Sequence, residues 1–189
     1  MLYLYGTADQ LEIARCTARN IALFAGRRWG KNFGVRNRAM YRCTRQGHKH
    51  CFASPIYAQC VKEYNFFISN PGCRRFIKKS EKQPFPRIVW KSGAELHFRS
   101  LERPDSLRGD EYDEIDVDEI QNVGQDTVQF VLRPCLASRM GTFLIMGQFR
   151  GKNWYYEDYY LKGLTDTTGR YKSFRFPSST GIVFQSVEG

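Results

Sequence analysis

A single stretch, Ile21 to Asn32, sets the terms for the rest of the chain: it reads I-A-L-F-A-G-R-R-W-G-K-N. Five apolar or small residues run into a turn rich in glycine and arginine, the turn closes on Gly30-Lys31, and a helix-compatible segment follows. A buried strand, a loop of exposed backbone N–H groups and a helix N-terminus aimed at an anion together form a phosphate cradle. In that layout Ala25, Gly26, Arg27, Arg28, Trp29, Gly30, Lys31 and Asn32 surround the phosphates, with Lys31 as a point charge on the terminal ones. The stretch departs from G-x-x-x-x-G-K-[ST] at two positions. Ala25 stands at the first glycine, and Asn32 replaces the Ser/Thr whose hydroxyl holds a magnesium ion. Taken alone, the stretch also fits a glycine-containing basic turn between a strand and a helix.

A chain of 189 residues suits one α/β domain with a sizeable core. Its 42% hydrophobic and 15% aromatic content excludes a disordered polymer. No apolar run approaches the roughly 20 residues that span a bilayer. The N-terminus MLYLYGTADQ has no basic region followed by an apolar core. Both features point to a cytoplasmic protein with no membrane association.

The net charge of +10 is unevenly spread. Asp110, Glu111, Asp113, Glu114, Asp116, Asp118 and Glu119 gather seven of the 19 acidic residues into ten positions, and outside that block 29 basic residues face 12 acidic ones. A basic body around one acidic focus suits a polyanion-binding protein that also holds a metal; a solvated basic surface with no nucleic-acid partner is the plainer alternative. The six cysteines include no C-x-x-C pair. Cys43, His48, His50 and Cys51 supply four metal-ligand types within nine residues, but their spacing matches no common zinc pattern, so buried free thiols are expected.

Along the chain, residues 9–16 read as a short helix and Ile21–Ala25 as a central strand whose continuous apolar character suits a parallel sheet covered on both faces. Asn32–Arg45 reads as a helix with Val35, Ala39, Met40 and Cys43 as its apolar stripe and Arg36, Arg38, Arg42 and Arg45 on its remaining surface. Lys49–Ser54 is a second strand, and Tyr57–Ser69 is the clearest helix by periodicity. The basic run from Arg74 to Arg87 reads as a loop, either facing DNA or simply solvated. Arg87–Trp90 and Glu95–Arg99 alternate as a hairpin, with the loop Leu101–Gly109 after it and a strand at about Glu114–Asp118. Gln125–Leu132 and Lys152–Lys162 follow as helices, with Thr142–Met146 and Tyr171–Phe176 as strands. Alternation of this kind predicts a three-layer αβα fold around a mainly parallel central sheet.

Nucleotide hydrolysis needs a phosphate cradle, a divalent metal and a group that orients the attacking water. Asp118 and Glu119, after the Ile115–Val117 run, are the residues expected to supply the last two: Asp118 as an oxygen ligand to Mg²⁺, and Glu119, pointing the other way, as the group that polarises water. An acidic surface cluster is the competing reading. Asp116 sits awkwardly inside an apolar strand, which implies either an edge or partly wet strand or a later strand start. Guanidinium groups stabilise transferring phosphoryl charge. Arg27 is placed for its own nucleotide, and Arg108, on the Ser106–Gly109 loop, for a neighbouring subunit's.

These segments together resemble the large terminase subunit of tailed bacteriophages, the ATP-driven motor that packages double-stranded DNA. The resemblance is carried by Ala25–Lys31, by Ser54-Pro55-Ile56-Tyr57-Ala58-Gln59, by Pro104-Asp105-Ser106-Leu107-Arg108-Gly109, by Val117-Asp118-Glu119 and by Met146–Tyr155, and it spans about residues 10–177. It implies a P-loop NTPase fold of the ASCE (RecA-like) kind, with ATP and Mg²⁺ as cofactors. Lys31 then binds phosphate, Asp118 with Asn32 binds the metal, Glu119 activates water, Arg27 is the in-subunit arginine and Arg108 the trans-acting finger. Gln10 matches a glutamine associated with adenine recognition, and Gly147-Gln148-Phe149 occupies a coupling motif that is usually G-T-P. The implied partners are double-stranded DNA, the portal protein and the small terminase subunit, and the implied assembly is a homo-oligomeric ring at the procapsid in the host cytoplasm.

Three departures accompany the resemblance: Asn32 for Ser/Thr, Gln148-Phe149 in the coupling motif, and no counterpart in this sequence of the family's RNase H-like nuclease domain, so nuclease activity is not expected of this chain. The expected function is therefore the ATPase motor domain of such a terminase. The alternatives are a nucleotide-binding but hydrolysis-impaired DNA-binding or assembly remnant of it, and a helicase-like DNA translocase.

Overall fold

Eight strands build one sheet in the computed structural model, which describes residues 6–26 and 28–178. In chain order the elements are α1 (Ala8–Arg15), β1 (Asn20–Ala25), α2 (Lys31–Arg42), β2 (Lys49–Ser54), α3 (Tyr57–Ser69), α4 (Pro71–Arg74), β3 (Ile77–Glu81), β4 (Arg87–Trp90), β5 (Glu95–Ser100), β6 (Glu114–Val117), α5 (Gln125–Thr127), β7 (Thr142–Gly147), α6 (Lys162–Thr165) and β8 (Tyr171–Phe176). Wide π-type turns extend two of the short helices, Val128–Leu132 after α5 and Tyr156–Leu161 before α6.

The sheet order is β3-β4-β5-β2-β6-β7-β1-β8. Every neighbouring pair from β5 to β8 is parallel, and β4, antiparallel to both β3 and β5, is the one described strand that runs opposite to the rest of this sheet. All six residues of β1 are buried, as a strand covered on both faces requires. On one face Ile13 of α1, Val35 and Ala39 of α2 and Tyr64 and Phe67 of α3 pack over Leu23 and Phe52. On the other, Val128, Leu132, Tyr159 and Tyr160 cover Phe24, Ile115 and Phe143. This is the expected three-layer αβα arrangement. Because β1, β7 and β6 are parallel neighbours, the C-terminal ends of β1 and β6 lie at one edge of the sheet. Among the described residues no helix is long and apolar enough to cross a membrane.

The boundaries of β2, α3 and β8 coincide with those read from periodicity. Three expectations change. The basic run is not wholly a loop: Ile77–Glu81 is an edge strand whose Lys78 and Lys79 face solvent, a common protection for an open edge. Arg38 and Arg42 do not lie on the outer face of α2; their residues are 0% and 2% exposed. And β6 is neither an edge nor a wet strand. It lies between β2 and β7 with all four residues buried.

These last two corrections have one cause. Glu114 and Asp116, two residues apart, project to the same face of β6, where α2 packs. Arg38 forms an ion pair with Glu114 and lies 3.7 Å from Asp116, and Arg42 Nε donates to Glu114 at 2.8 Å. His50 Nε2 is 2.9 Å from Asp116, and Arg38 also donates to the carbonyls of Ile13 and Cys16 at the end of α1. Helix spacing of four brings the two arginines to one place, so the charges compensate inside the core. Burial alone raises a carboxyl pKa, but Arg38, His50 and Arg42 outweigh it and hold Glu114 at about 2.

The zinc reading fails on the same geometry. Cys43 and Cys51 belong to cores on opposite faces of the sheet, and both histidines turn to the acids. All six thiols are unpaired, and burial pushes Cys43 and Cys60 up to about 12.

Candidate functional site

At the C-terminal end of β1 the chain leaves the sheet through Gly26 and enters α2 at Lys31. Gly30 caps the helix at φ 96°, a left-handed conformation that costs glycine little; the Phe33 N–H already donates to the Gly30 carbonyl at 2.9 Å, while the helix geometry gives the N–H groups of Lys31 and Asn32 no acceptor within it. Lys31 Nζ reaches back over the loop to the Ala25 carbonyl at 2.9 Å. Burial lowers the Lys31 pKa, while the carboxylates of Asp118 and Glu119 work against that. The lysine and the acidic pair therefore share one electrostatic environment.

They also share one cleft, of 210 Å³, lined by Lys31, Asn32, Asp118 and Glu119. Simple alternation along β6 would send Glu119 away from Asp118. The strand ends at Val117, however, and Glu119 turns left-handed at φ 48°, ψ 47°, which keeps both acids on the cleft wall. A non-glycine residue in that region is strained, and such strain tends to collect at functional sites. Asp118 Oδ1 accepts the Glu119 N–H at 2.8 Å, and Glu119 Oε2 accepts from Asn122 at 3.1 Å. Burial pushes the Asp118 carboxyl up to about 6, and the negative charges of Glu119 and Glu63 add to the shift. The donor set of Asp118 and the Asn32 amide is all oxygen, which fits a hard divalent cation such as Mg²⁺.

Three further cleft residues, Lys62, Glu63 and Gln121, escaped the motif reading, and a fourth, Gln59, stood in a motif without a role. Gln59, Lys62 and Glu63 come from α3, where offsets of three and four put them on one helical face beside the apolar stripe of Cys60, Tyr64 and Phe67. That polar stripe was a usable signal. Gln121 had none: its Oε1 accepts the Gln148 N–H at 3.1 Å, and a Cβ on Gly147 would stand 2.2 Å from that oxygen. The turn after Asp118-Glu119 is thus tied to the end of β7. Phe149 stacks on Phe24 at 4.2 Å, which anchors the same segment in the core.

The other expected site residues have varied positions. Arg27 lies outside the described residues. Trp29 is 1% exposed and stacks on Phe176 at 4.2 Å, so it braces the loop from within rather than facing the cleft. Gly26 spends its N–H on the Phe176 carbonyl. Arg28, like Glu119, is left-handed, at φ 62°. Gln10 is fully buried and closes a capping box with Thr7 at the start of α1, away from the cleft lining. Arg108 is exposed, paired with Asp105 at 2.6 Å, and stands outside this chain's own cleft.

Residues 22–173 match the family described as terminase large subunit, T4likevirus-type, N-terminal. The large terminase subunit of Thermus virus P23-45 is 27% identical over 173 residues, covering 82% of this chain and 36% of that protein; the chain thus spans about a third of that relative's length. The large terminase ATPase domain of Thermus phage P74-26 superposes with a TM-score of 0.72 at 22% identity, over 91% of this chain and 81% of that one. The large terminase of another thermophilic bacteriophage, in complex with ATP-γ-S, gives 0.65 at 14% identity, over 93% and 45%. At these identities the solved structures show the fold.

Proposed function

We propose, from the premise that this chain belongs to the large-terminase-subunit family (T4likevirus-type, N-terminal), that it binds and hydrolyses ATP as the motor domain that drives double-stranded DNA into a procapsid. One observation carries the reading: Lys31 and the Asp118–Glu119 pair line a single cleft at the C-terminal edge of a parallel sheet, where doubly wound folds bind their ligands. The likeness in fold to a terminase described with ATP-γ-S supports the choice of ligand.

In this reading the helix-opening N–H groups of α2 and the Lys31 ammonium bind the β- and γ-phosphates. Asp118 and Asn32 hold Mg²⁺, which when bound neutralises charge developing on the phosphoryl oxygens. Glu119, steadied by Asn122, orients water for in-line attack. Arg27 supports the γ-phosphate of its own nucleotide, and exposed Arg108 serves a neighbouring subunit of a homo-oligomeric ring. The basic surface meets the DNA backbone, and the portal protein and the small terminase subunit are the partners of that assembly.

Phosphate release from ATP with Mg²⁺ and duplex DNA tests this. Wild type is expected to turn over, and Glu119→Gln to lose about 10²–10⁴-fold, the range for a positioned acid–base group. A wild-type chain that neither binds nucleotide nor releases phosphate overturns the reading.

A further inference from the structure

We infer that Glu63 is a positioning residue that turns Asn32 into a competent magnesium ligand; the inference rests on the ATP·Mg²⁺ reading above. A serine or threonine hydroxyl offers an oxygen in any rotamer. An asparagine amide does not: half a turn about its last torsion replaces Oδ1 with an NH₂ group that repels a cation. Something must decide which end faces the metal. In this chain Asn32 Nδ2 donates to Glu63 Oε1 at 3.1 Å. An ionised carboxylate only accepts, so the amide nitrogen is drawn to α3 and Oδ1 is left for the cleft.

Glu63 is itself held rigidly. It is 3% exposed, and Arg36 grips both its oxygens, Nε to Oε2 at 2.7 Å and Nη2 to Oε1 at 2.9 Å. The Arg36 guanidinium in turn lies 3.7 Å over the Phe66 ring. Two-pronged, charge-assisted bonds of this kind fix orientation as well as position. The Glu63 oxygens are thereby committed to Arg36 and Asn32, so beyond the negative charge that Glu63 shares with Asp118 its hold on the cation runs through Asn32, and the rescue by Asn32→Thr separates the two. A cation ligand that needs a supporting carboxylate at its other end follows the general pattern of metal sites, where such partners tune affinity by about 10–100-fold.

The test is the affinity for a fluorescent ATP analogue, measured with EDTA and with saturating Mg²⁺, together with the electron paramagnetic resonance of Mn²⁺ added to the nucleotide complex. Wild type should bind more tightly with the metal. Glu63→Gln, whose NH₂ lets Asn32 invert, should lose about tenfold or more of that gain while the EDTA affinity stays put. Asn32→Thr in the Glu63→Gln background should restore the gain, because a hydroxyl needs no clamp. If Glu63→Gln does not fold, Glu63→Asp, which keeps a charge for Arg36 but withdraws it from Asn32, should show the same loss. A metal gain that survives both Glu63 substitutions, or a double variant that fails to recover it, overturns the inference alone. A wild type that binds no nucleotide overturns the functional reading with it.

Discussion

At the start of β6, Glu114 and Asp116 meet Arg38, Arg42 and His50 inside the core; at its end, Asp118 and Glu119 meet Lys31 at a cleft. The four acids belong to one run of sequence, on one short strand and the turn that ends it. The first pair is enclosed by cations that the fold itself supplies, and His50, Glu114 and Asp116 lie within 4.8 Å of one another with the guanidinium groups as their counter-ions. Among the described residues the second pair is less fully compensated: Lys31 and Lys62 line the same cleft, yet burial and the charges of Glu119 and Glu63 still push Asp118 toward its neutral form. A closed set of charges holds elements together. An incomplete one, at the mouth of a cleft, is suited to a ligand that brings the missing cation.

The contrast breaks first at Arg38. Replacing it with methionine leaves two buried carboxylates with Arg42 as the one guanidinium beside them among the described residues, and breaking a buried ion pair in this way costs about 3–5 kcal/mol. Urea denaturation should show that loss, while Glu119→Gln should shift the same curve by less than about 0.5 kcal/mol because the acid it alters is not bound into the core. Similar losses for the two variants would remove the distinction between a structural and a functional end of the strand.

The next effect is acid sensitivity. Burial first, and then the like charge of His50, hold His48 at about 4 against an ordinary 6.5, although Glu114 and Asp113 pull the other way and Arg42 adds to the lowering. Glu114 is held at about 2 against 4.5. Both groups bind more protons when unfolded. His48 therefore withdraws stability as pH falls from 6.5 to 4, and Glu114 as it falls from 4.5 to 2. Asp118, held at about 6 against 3.8, works in the opposite sense between those values, so the difference is what reports His48: the unfolding free energy of wild type minus that of His48→Gln should fall as pH drops from 6.5 to 4 and stay level below. A difference that stays level between pH 6.5 and 4 would exclude His48 from the network.

The smallest effect concerns the exposed ion pair of Arg108 with Asp105, whose side chains are 59% and 78% exposed. Asp105→Ala should move stability by less than about 1 kcal/mol in thermal unfolding, as solvent-exposed pairs do. A larger shift would mean that the Arg108 loop is structural, like the start of β6, rather than a surface element kept for another subunit.

Much of the scaffold is legible in the sequence alone. Continuous apolar character placed β1 in the sheet interior, and helical spacing placed α3 residue for residue. The acidic pair was singled out as what hydrolysis would require beside a phosphate cradle, and it lies with Lys31 in one cleft. Charge burial was not legible. Arg38, Arg42, Glu114 and Asp116 look like surface residues one at a time, and only pairing between a helix and a strand 72 positions apart makes their burial tolerable. Glu63 and Gln121 were missed for the same reason, since each acts on a segment distant in sequence.

Periodicity and motif spacing by themselves determined the αβα class and the strand that runs into the Gly26–Lys31 turn, and they singled out Lys31, Asp118 and Glu119 as candidates, because those features are written in local patterns of apolar and reactive side chains. Only the tertiary structure decided that β7 lies between β1 and β6, that the left-handed turn at Glu119 aims both acids into the cleft with Lys31, and that Asn32 is held by Glu63. Each of those depends on contacts between distant segments, and the free energy of such contacts is set by burial and hydrogen-bond geometry, which exist only once the chain has folded.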